Sequence, residues 1–424
     1  MNRETYIGLI DCNNFFVSCE CVFDPKLRGR PVGILSNNDG CFIARSDELK
    51  ALGVAMGAPY FQVKNIVDKH QVIVRSANFS LYSDMSRRVM SILKKAFPRV
   101  EIYSIDEAFI HFNALSREEI FEESKAIREK LYKWLGIPVS VGVAKTKTLS
   151  KVACRVVKKN KELRSVYLLD NQDDIESVLK GCKAGDIWGI GRQRAKFLES
   201  RGIETAYEFL NLDEGWVKQN LSINGLRTLL ELKGVSCLEL EDVAKNNKSI
   251  LRSRSFSRPL TDMEDVAQAI AYHVSCVGEA LREQNSVTFS IGVFIRTNMH
   301  SLGPQYHESV VEYFVEATDY TPDLLAAARA GLEKIFKLGY RYHKAGVFCD
   351  HIVPKKGSQL DLFKAQENLV QKDKRMEIMD EITAKYGNKS LFYASIGSNN
   401  IWQSKRQRVS PGYTTNWCEL KGVR

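Results

Sequence analysis

Acidic residues lie at the ends of two predicted strands in the N-terminal part of the chain. The apolar run at residues 6–10 stops at Asp11, which is typical of a buried strand whose last residue reaches an open edge. Residues 100–112 predict two further strands that meet near the adjacent pair Asp106 and Glu107. Because successive strand residues point to opposite faces, this pair can share one site only if the chain turns there, as a hairpin end would allow.

Three carboxylates on two separate segments suit a site for two divalent metal ions. Such a site needs hard oxygen ligands from at least two segments, because one segment cannot surround both ions. Taken alone, an Asp-Glu dipeptide is more often a pair of surface acids in a turn, and the motif by itself leaves that alternative open.

Composition sets a few outer limits. The chain has 61 Lys and Arg against 51 Asp and Glu, a net charge of +10 that weakly favours a polyanionic partner. No run approaches the roughly 20 apolar residues that cross a bilayer, and the N-terminus lacks the apolar region of a secretory signal. We therefore expect a soluble, cytoplasmic protein without membrane contact. Ten cysteines without a Cys-x-x-Cys pair argue against a zinc site.

The order of strand and helix patterns predicts a multidomain α+β protein. Its segments are an α+β layer, a helical module, a polar linker, a second α+β unit and a polar tail, at residues 1–170, 171–240, 242–248, 249–350 and 351–424. Within the first segment, residues 41–75 predict short helices separated by glycine and proline. The second unit predicts the order strand, helix, strand, strand, helix, strand, and the tail has one helical stretch near 366–385.

Residues 147–159 predict a helix with one apolar and one basic face. The apolar face carries Leu149, Val152, Ala153, Val156 and Val157, and the opposite face carries Lys147, Lys151, Arg155 and Lys158. A basic stripe that stands off the core would attract a triphosphate or a DNA backbone. A solvated charged face is the alternative, and the charge pattern alone does not choose between the two.

Several motifs, in order along the chain, resemble those of one known family. Residues 103–109 read Tyr-Ser-Ile-Asp-Glu-Ala-Phe, and residues 11–20 place two phenylalanines and Ser-Cys-Glu after the first aspartate. Segments at 35–40, 82–86 and 411–415 continue the likeness over essentially the whole chain. The chain resembles the Y-family translesion DNA polymerases, and most closely their UmuC type, the catalytic subunit of bacterial DNA polymerase V.

This resemblance implies a right-hand polymerase with a palm, small fingers, a helical thumb, an α+β little finger and a C-terminal tail. The implied boundaries are a palm at 1–31 and 77–170, fingers at 32–76, a thumb with a helix-hairpin-helix at 171–240, a linker at 241–248, a little finger at 249–350 and a tail at 351–424. The implied function is error-prone synthesis opposite damaged template in SOS-type DNA damage tolerance.

By the same resemblance, Asp11, Asp106 and Glu107 are the metal carboxylates, and the main-chain carbonyl of Cys12 is a further ligand. Asp106 and Glu107 form the catalytic pair. The implied cofactor is two Mg2+ ions, and the implied substrates are primer-template DNA and a dNTP. The reaction would be attack of the primer 3′-hydroxyl on the α-phosphate, with release of pyrophosphate.

The resemblance also implies a gate for the sugar of the nucleotide. Phe15 and Phe16 lie at the spacing of the family's stacked aromatic pair, with Phe16 in the place of the residue that excludes a ribose hydroxyl. The alternative is that both rings belong to an ordinary core.

Contacts to the triphosphate are implied at three cations. Lys158 matches a lysine that contacts the triphosphate in the family. Many members also carry a Tyr and an Arg three residues apart in the fingers, where this chain has Asp47 and Lys50. Because a carboxylate cannot replace a phenol as a donor to phosphate, we expect Lys50 and Arg45 to supply the positive charge there.

DNA contacts are expected in two places. Gly189 and Gly191 precede a predicted helix in a segment that resembles a helix-hairpin-helix, whose backbone amides can bind phosphate. The strand at 250–258 places a set of side chains on one face at a spacing suited to consecutive phosphates, namely Arg252, Arg254, Phe256 and Arg258. A sheet edge protected by charge is the alternative for this strand.

A pentapeptide in the polar tail resembles the bacterial sliding-clamp binding motif. It consists of Gln359, Leu360, Asp361, Leu362 and Phe363, with polar flanks on both sides. The resemblance further implies a processed UmuD dimer and RecA as partners. Two alternatives stay open from sequence, a non-catalytic DNA-binding subunit and another two-metal phosphoryl enzyme such as a nucleotide cyclase or a nuclease.

Overall fold

The computed structural model describes residues 5–160, 166–241, 246–356, 366–387, 390–398, 401–420 and 422. The chain divides into two compact units. Unit 1 takes residues 1–36, 40–244 and 407–424, and unit 2 takes residues 37–39 and 245–406. Within the described ranges, no helix has the length and apolar character needed to span a membrane.

Unit 1 contains eight strands and ten α-helices among its described residues. The strands are β1 (Thr5–Cys12), β2 (Val32–Leu35), β3 (Phe42–Arg45), β4 (Ile73–Ser76), β5 (Val100–Ile102), β6 (Glu107–Asn113), β7 (Val139–Ala144) and β8 (Val166–Leu169). The helices are α1 (Phe15–Phe23), α2 (Asp47–Ala51), α3 (Lys64–Lys69), α4 (Phe79–Ala96), α5 (Arg117–Leu135), α6 (Lys147–Lys159), α7 (Gln172–Lys180), α8 (Arg192–Glu199), α9 (Ala206–Leu210) and α10 (Glu214–Leu232).

The larger sheet of unit 1 has the order β5-β6-β1-β7-β8, with β1 at its centre. β1 pairs antiparallel with both β6 and β7. Both faces of the sheet are covered, because Ile10 packs in the core that α4 and α5 share, whereas Ile7 and Leu9 pack with Cys154 of α6. Asp11 follows this alternation and lies on the α6 side, where it contacts that helix.

Gly142 allows α6 to lie directly on β7. A Cβ atom at this position would lie 2.1 Å from the backbone nitrogen of Cys154, a distance that no side chain can occupy. The backbone of α6 therefore contacts β7. From this position, side chains of α6 reach the C-terminal end of the neighbouring strand β1.

The smaller sheet of unit 1 has the order β3-β2-β4, and it corrects one prediction. Residues 41–75 were expected to form short helices only, whereas β3 and β4 are strands that pair with β2. Four-residue strands are too short to show a periodicity, and they are recognisable only through their pairing. The predicted helical character of residues 171–240 is confirmed by α7 to α10.

Unit 2 consists of a sheet, two α-helices that pack against one of its faces and a third α-helix. The strands are β9 (Ile250–Leu260), β10 (Ser286–Thr297), β11 (His307–Thr318), β12 (Tyr342–Cys349) and β13 (Ile352–Pro354), and the helices are α11 (Met263–Glu283), α12 (Thr321–Ile335) and α13 (Gln366–Tyr386). The chain order β9, α11, β10, β11, α12, β12 confirms the predicted sequence of strands and helices over 249–350. In the sheet the strand order is β11-β10-β12-β9, and β13 pairs with β10.

Residues 351–424, predicted as one polar tail, contribute to both units. β13 extends the sheet of unit 2, and Trp402 is buried there beside Tyr272 of α11, with ring centroids 4.9 Å apart. From residue 407 onward the chain belongs to unit 1. The segment therefore contributes buried residues, which its polar composition did not predict.

Candidate active site

The pairing of β1 with β6 brings the predicted carboxylates together. Asp11 lies directly opposite Glu107 in the antiparallel register, and the backbone nitrogen of Cys12 donates to the carbonyl oxygen of Asp106 at 2.9 Å. Because β6 begins at Glu107, Asp106 lies in the turn that joins β5 to β6. The prediction that the chain turns at this pair is confirmed.

Ser104 shapes that turn, and the sequence analysis did not assign it a role. Its Oγ accepts hydrogen bonds from the backbone nitrogens of Asp106 and Glu107, at 3.2 and 3.0 Å, and donates to Asp106 Oδ1 at 2.7 Å. A serine hydroxyl can form a turn by bonding the backbone N–H two residues further on, and this local pattern could have signalled the role of Ser104.

Two lysines of α6 neutralise two of the three carboxylates. Lys158 Nζ lies 2.5 Å from Asp11 Oδ2, and Lys151 Nζ lies 2.7 Å from Glu107 Oε2. Burial raises the pKa of the Asp11 carboxyl to about 7, although Lys158 acts to lower it. Burial also acts to raise the pKa of Glu107, but the hydrogen bond with Asp11 and the contacts with Lys151 leave it below its ordinary value.

An aromatic cluster holds Lys151 in place. Its ammonium nitrogen lies 4.2, 5.7 and 5.5 Å from the ring centroids of Tyr103, Phe109 and Trp188. Trp188 Nε1 donates to the hydroxyl of Tyr103 at 3.0 Å, which links the loop before α8 to the β5–β6 turn. Sequence reasoning missed this role of Trp188, because the contact joins residues 85 positions apart.

The basic face of α6 differs from the predicted stripe. Lys147 is 4% exposed and bonds both Glu101 Oε2 and the carbonyl oxygen of Glu239, at 2.5 and 2.8 Å. Arg155 pairs with Asp186. The expectation that this stripe stands off the core was wrong for Lys147, because α6 lies close enough to the sheet for its cations to meet acids of neighbouring segments.

The donor set fits divalent cations such as Mg2+, which prefer hard oxygen ligands. Asp11, Asp106, Glu107 and the carbonyl of Cys12 supply such oxygens from two segments. Within the described part of the chain, no three His, Cys, Asp or Glu side chains converge on one point that could hold a metal ion. Asp11 and Glu107 are engaged by lysines and Asp106 by Ser104, so binding of a cation requires these carboxylates to exchange partners.

The predicted aromatic pair divides into one core ring and one accessible ring. Phe15 is 3% exposed, and Phe16 is half-buried. The ring of Phe16 stacks on Tyr82 of α4, with centroids 4.4 Å apart and planes 12° apart, and meets the edge of Phe79 at 6.0 Å. Of the two rings, Phe16 is the one that can contact a ligand.

The predicted cations of the fingers lie in different surroundings. Lys50 Nζ donates to Asn14 Oδ1 at 2.5 Å and pairs with Asp47 at 2.9 Å, which places it beside the start of α1. Arg45 instead donates to the carbonyl oxygen of Val54 at 2.6 Å. Lys50 is therefore the cation that bonds the N-cap residue of α1, the helix that carries Phe15 and Phe16.

The predicted helix-hairpin-helix glycines form a turn before α8. Gly189 has a φ of +95°, and a Cβ there would lie 2.5 Å from Thr228 Oγ1, so both conformation and space favour glycine. Gly191 is the N-cap of α8 and faces open space. The geometry of the turn agrees with the expectation, and contact with DNA stays a prediction.

The arginines of β9 do not share one open face. Phe256 is 1% exposed, and the guanidinium of Arg254 lies 6.0 Å from the ring of Tyr272 on α11. Arg252 and Arg258 are exposed. The prediction that this face is open was wrong for Phe256, which packs in the core against α11. Arg254 is half-buried, and DNA contact by the three arginines stays a prediction. The predicted clamp motif, residues 359–363, lies outside the described residues.

Family models match both units of the chain. The model described as the impB/mucB/samB family matches residues 10–155, and the model of the same family's C-terminal domain matches residues 247–362. A third model, described as a domain of unknown function, matches residues 373–423.

Individual relatives cover nearly the whole chain. The protein UmuC of Salmonella typhimurium is 38% identical over 98% of this chain and 100% of its own length. ImpB of Salmonella typhimurium is 36% identical over 97% of this chain and 98% of its own length. Among solved structures, a Y-family DNA polymerase chimera of Dbh and Dpo4 covers 82% of this chain and 99% of its own, with a TM-score of 0.66 and 20% identity. At that identity the likeness shows the fold alone.

Replacing Lys158 by Ala should strengthen binding of Mn2+ to the free protein by about threefold to tenfold, because its ammonium group competes with the ion for Asp11. Titration followed by the electron paramagnetic resonance signal of free Mn2+ measures the affinity. Lys159→Ala is the matched control, since it removes the same charge from the exposed next residue of α6. Equal affinities in the parent and both variants would contradict the competition.

Proposed function

We propose that this chain extends primers at a site formed by Asp11, Asp106 and Glu107. The chain belongs to the impB/mucB/samB family and is a UmuC-like Y-family translesion DNA polymerase of SOS mutagenesis. It has the mixed α+β fold of these polymerases, with a separate C-terminal sheet in unit 2, and its substrates are DNA and dNTPs. The observation that carries the site assignment is the register of β1 and β6, which sets Asp11 opposite Glu107 beside the Asp106 turn.

The reaction joins the primer O3′ atom to the α-phosphorus of the dNTP. The bond between the α-phosphorus and the pyrophosphate oxygen breaks, and the hydroxyl proton leaves to solvent. Two Mg2+ ions, held by the three carboxylates and the Cys12 carbonyl, would lower the pKa of the hydroxyl and neutralise charge on the triphosphate. The protein itself contributes the orientation of these oxygens, which the β1–β6 pairing and the Ser104 turn fix.

Lys158 exchanges partners in this proposal. Its side chain is 41% exposed, and in the structure it pairs with Asp11. With a metal ion bound at Asp11, the ammonium group of Lys158 would lie next to the site and would be free to pair with the triphosphate. Lys151 behaves differently, since its aromatic cluster keeps it at Glu107. Lys50 and Arg45, both in the fingers, would supply further positive charge to the phosphates.

Phe16 is the proposed sugar gate. Its half-buried ring follows the end of β1, and Tyr82 and Phe79 pack against it. Because the phosphates fix the nucleotide, a ring of this size packed against C2′ leaves no volume for a ribose hydroxyl.

The remaining contacts are proposed from the family alone. Gly189 and Gly191 would bind the DNA backbone, with Arg252 and Arg258 as the exposed cations of β9. Residues 359–363 would bind the sliding clamp, and a processed UmuD dimer and RecA would complete the active form in the cytoplasm.

Asp106→Ala should abolish nucleotide incorporation while DNA binding persists, because it removes a metal ligand but leaves the DNA surface intact. Primer extension and a DNA-binding titration measure the two properties on one preparation. Asp68→Ala, an exposed acid on α3, is the control and should retain extension. A parent protein that cyclised nucleotides or cleaved DNA without extending primers would show that the polymerase assignment fails.

Phe16→Ala should lower discrimination against ribonucleotides by at least about tenfold, which corresponds to about 1.4 kcal/mol of lost transition-state difference. The measurement is the ratio of kcat/KM for dNTP to that for rNTP on one template. Phe121→Ala removes an exposed ring from α5 and should leave the ratio unchanged. If the ratio of the Phe16 variant equals that of the parent, another residue such as Phe15 is the gate.

Leu362→Ala combined with Phe363→Ala should eliminate stimulation of primer extension by the sliding clamp, because the two apolar anchors of the peptide are lost. Extension with and without clamp is compared for each protein. The control combines Leu338→Ala with Phe392→Ala, two exposed apolar side chains of unit 2. Undiminished stimulation in the motif variant would place the clamp contact elsewhere in the chain.

A further inference from the structure

The last part of the chain returns to unit 1 through residues 407–413, which we term the return segment. The backbone nitrogen of Ser76, at the end of β4, donates a hydrogen bond to the carbonyl oxygen of Arg408 at 3.0 Å. In turn, the backbone nitrogen of Arg408 donates to Ser76 Oγ at 2.9 Å. These bonds extend the β3-β2-β4 sheet by a single bridge between Ser76 and Val409.

The return segment also bonds the N-terminus of α4. Asn78 is the N-cap of this helix, and its Oδ1 accepts a hydrogen bond from the backbone nitrogen of Leu81. Its Nδ2 donates to Ser410 Oγ at 3.0 Å and to the carbonyl oxygens of Ser410 and Pro411, each at 3.2 Å. One capping side chain therefore joins the first turn of α4 to the return segment.

A second contact joins the return segment to α1. Ser410 Oγ and the hydroxyl of Tyr82 both donate to the same oxygen, Glu20 Oε1, at 2.9 and 2.8 Å. Tyr413 stacks on Phe23, three residues after Glu20, with ring centroids 4.8 Å apart and planes 7° apart. Ser410 and Tyr413 thus lie against one side of α1 while Asn78 holds Ser410 to α4.

Glu20 makes this arrangement costly to break. The residue is 1% exposed, and burial raises the pKa of its carboxyl, while the hydrogen bonds from Tyr82 and Ser410 lower it. A buried carboxyl group needs such donors, since an unsatisfied one is strongly destabilising. Loss of the Ser410 hydroxyl would remove one of these donors and would change the positions of the Glu20 carboxylate and the Tyr82 ring.

Tyr82 transmits this arrangement to the nucleotide site, because its ring stacks directly on Phe16 at 4.4 Å. We propose that the return segment is a positioning element for Phe16: Ser410 fixes Glu20, Glu20 fixes the hydroxyl of Tyr82, and the Tyr82 ring fixes the plane of Phe16. This inference rests on the proposed role of Phe16 as the sugar gate. It gives a function to residues in the region that matches a family model described as a domain of unknown function.

Ser410→Ala tests the inference, with Thr415→Ala as the control from an exposed position of the same C-terminal region. The readout is the ratio of kcat/KM for dNTP to that for rNTP, measured with the full chain under conditions where the parent extends primers. Because both substrates meet the same folded molecules, a lower folded fraction cancels from this ratio. Ser410→Ala should lower the ratio at least about threefold, and Thr415→Ala should not change it.

Two further variants separate positioning from general damage to the fold. Tyr82→Phe keeps the stacking ring but loses the hydroxyl, and it should lower the ratio in the same direction as Ser410→Ala. Because both changes act through Glu20, their effects should not be additive in the double variant. Ser410→Thr keeps a hydroxyl and should restore most of the ratio.

The outcomes distinguish this inference from the proposed function. If Phe16→Ala lowers the ratio but Ser410→Ala and Tyr82→Phe both match the parent, the return segment does not position the gate and the inference is overturned. If Phe16→Ala itself leaves the ratio unchanged, the gate assignment fails and the inference fails with it. Non-additive losses in the Ser410 and Tyr82 variants, with no loss in the Thr415 variant, support it.

Discussion

The antiparallel pairing of β1 with β6 is the constraint on which the site depends. It sets Asp11 opposite Glu107 and ties Cys12 to the backbone of Asp106, so that three acids from two distant segments meet at one edge of the sheet. Neighbouring acids repel each other, and the buried Asp11 also loses hydration, so this group of carboxylates requires nearby positive charge. α6 supplies that charge, and it can do so because Gly142 lets the helix lie directly on the sheet.

The two lysines differ in how firmly their side chains are held, and this difference bears on the proposed function. Lys151 is enclosed by Tyr103, Phe109 and Trp188, so its charge is a fixed part of the site. Lys158 is more exposed and contacts Asp11 through its ammonium group, so a metal ion could displace it with little loss of packing. The two lysines therefore compensate the charge of the carboxylates, and the ammonium group of Lys158 lies beside the place where the triphosphate is proposed to bind.

Sequence reasoning succeeded where the signal is local and failed where it depends on distant pairing. The strand that ends at Asp11, the turn at Asp106 and the two-faced helix α6 all follow from short patterns, and the family motifs assign chemistry to them. β3 and β4 were missed because four-residue strands show no period, and the burial of Lys147 was missed because its acidic partner, Glu101, is 46 residues away. The bond between Ser410 and Glu20 spans 390 residues and has no local signature.

The most direct test of the account is a crystal structure of the full chain with a dideoxy-terminated primer-template, the next dNTP and Mg2+. In that complex, ions should lie about 2.1 Å from carboxylate oxygens of Asp11, Asp106 and Glu107, a spacing typical of Mg2+. Lys158 Nζ should have left Asp11 for the triphosphate while Lys151 remains at Glu107. Ions held without these three carboxylates, or Lys158 still paired with Asp11 in that complex, would contradict the account.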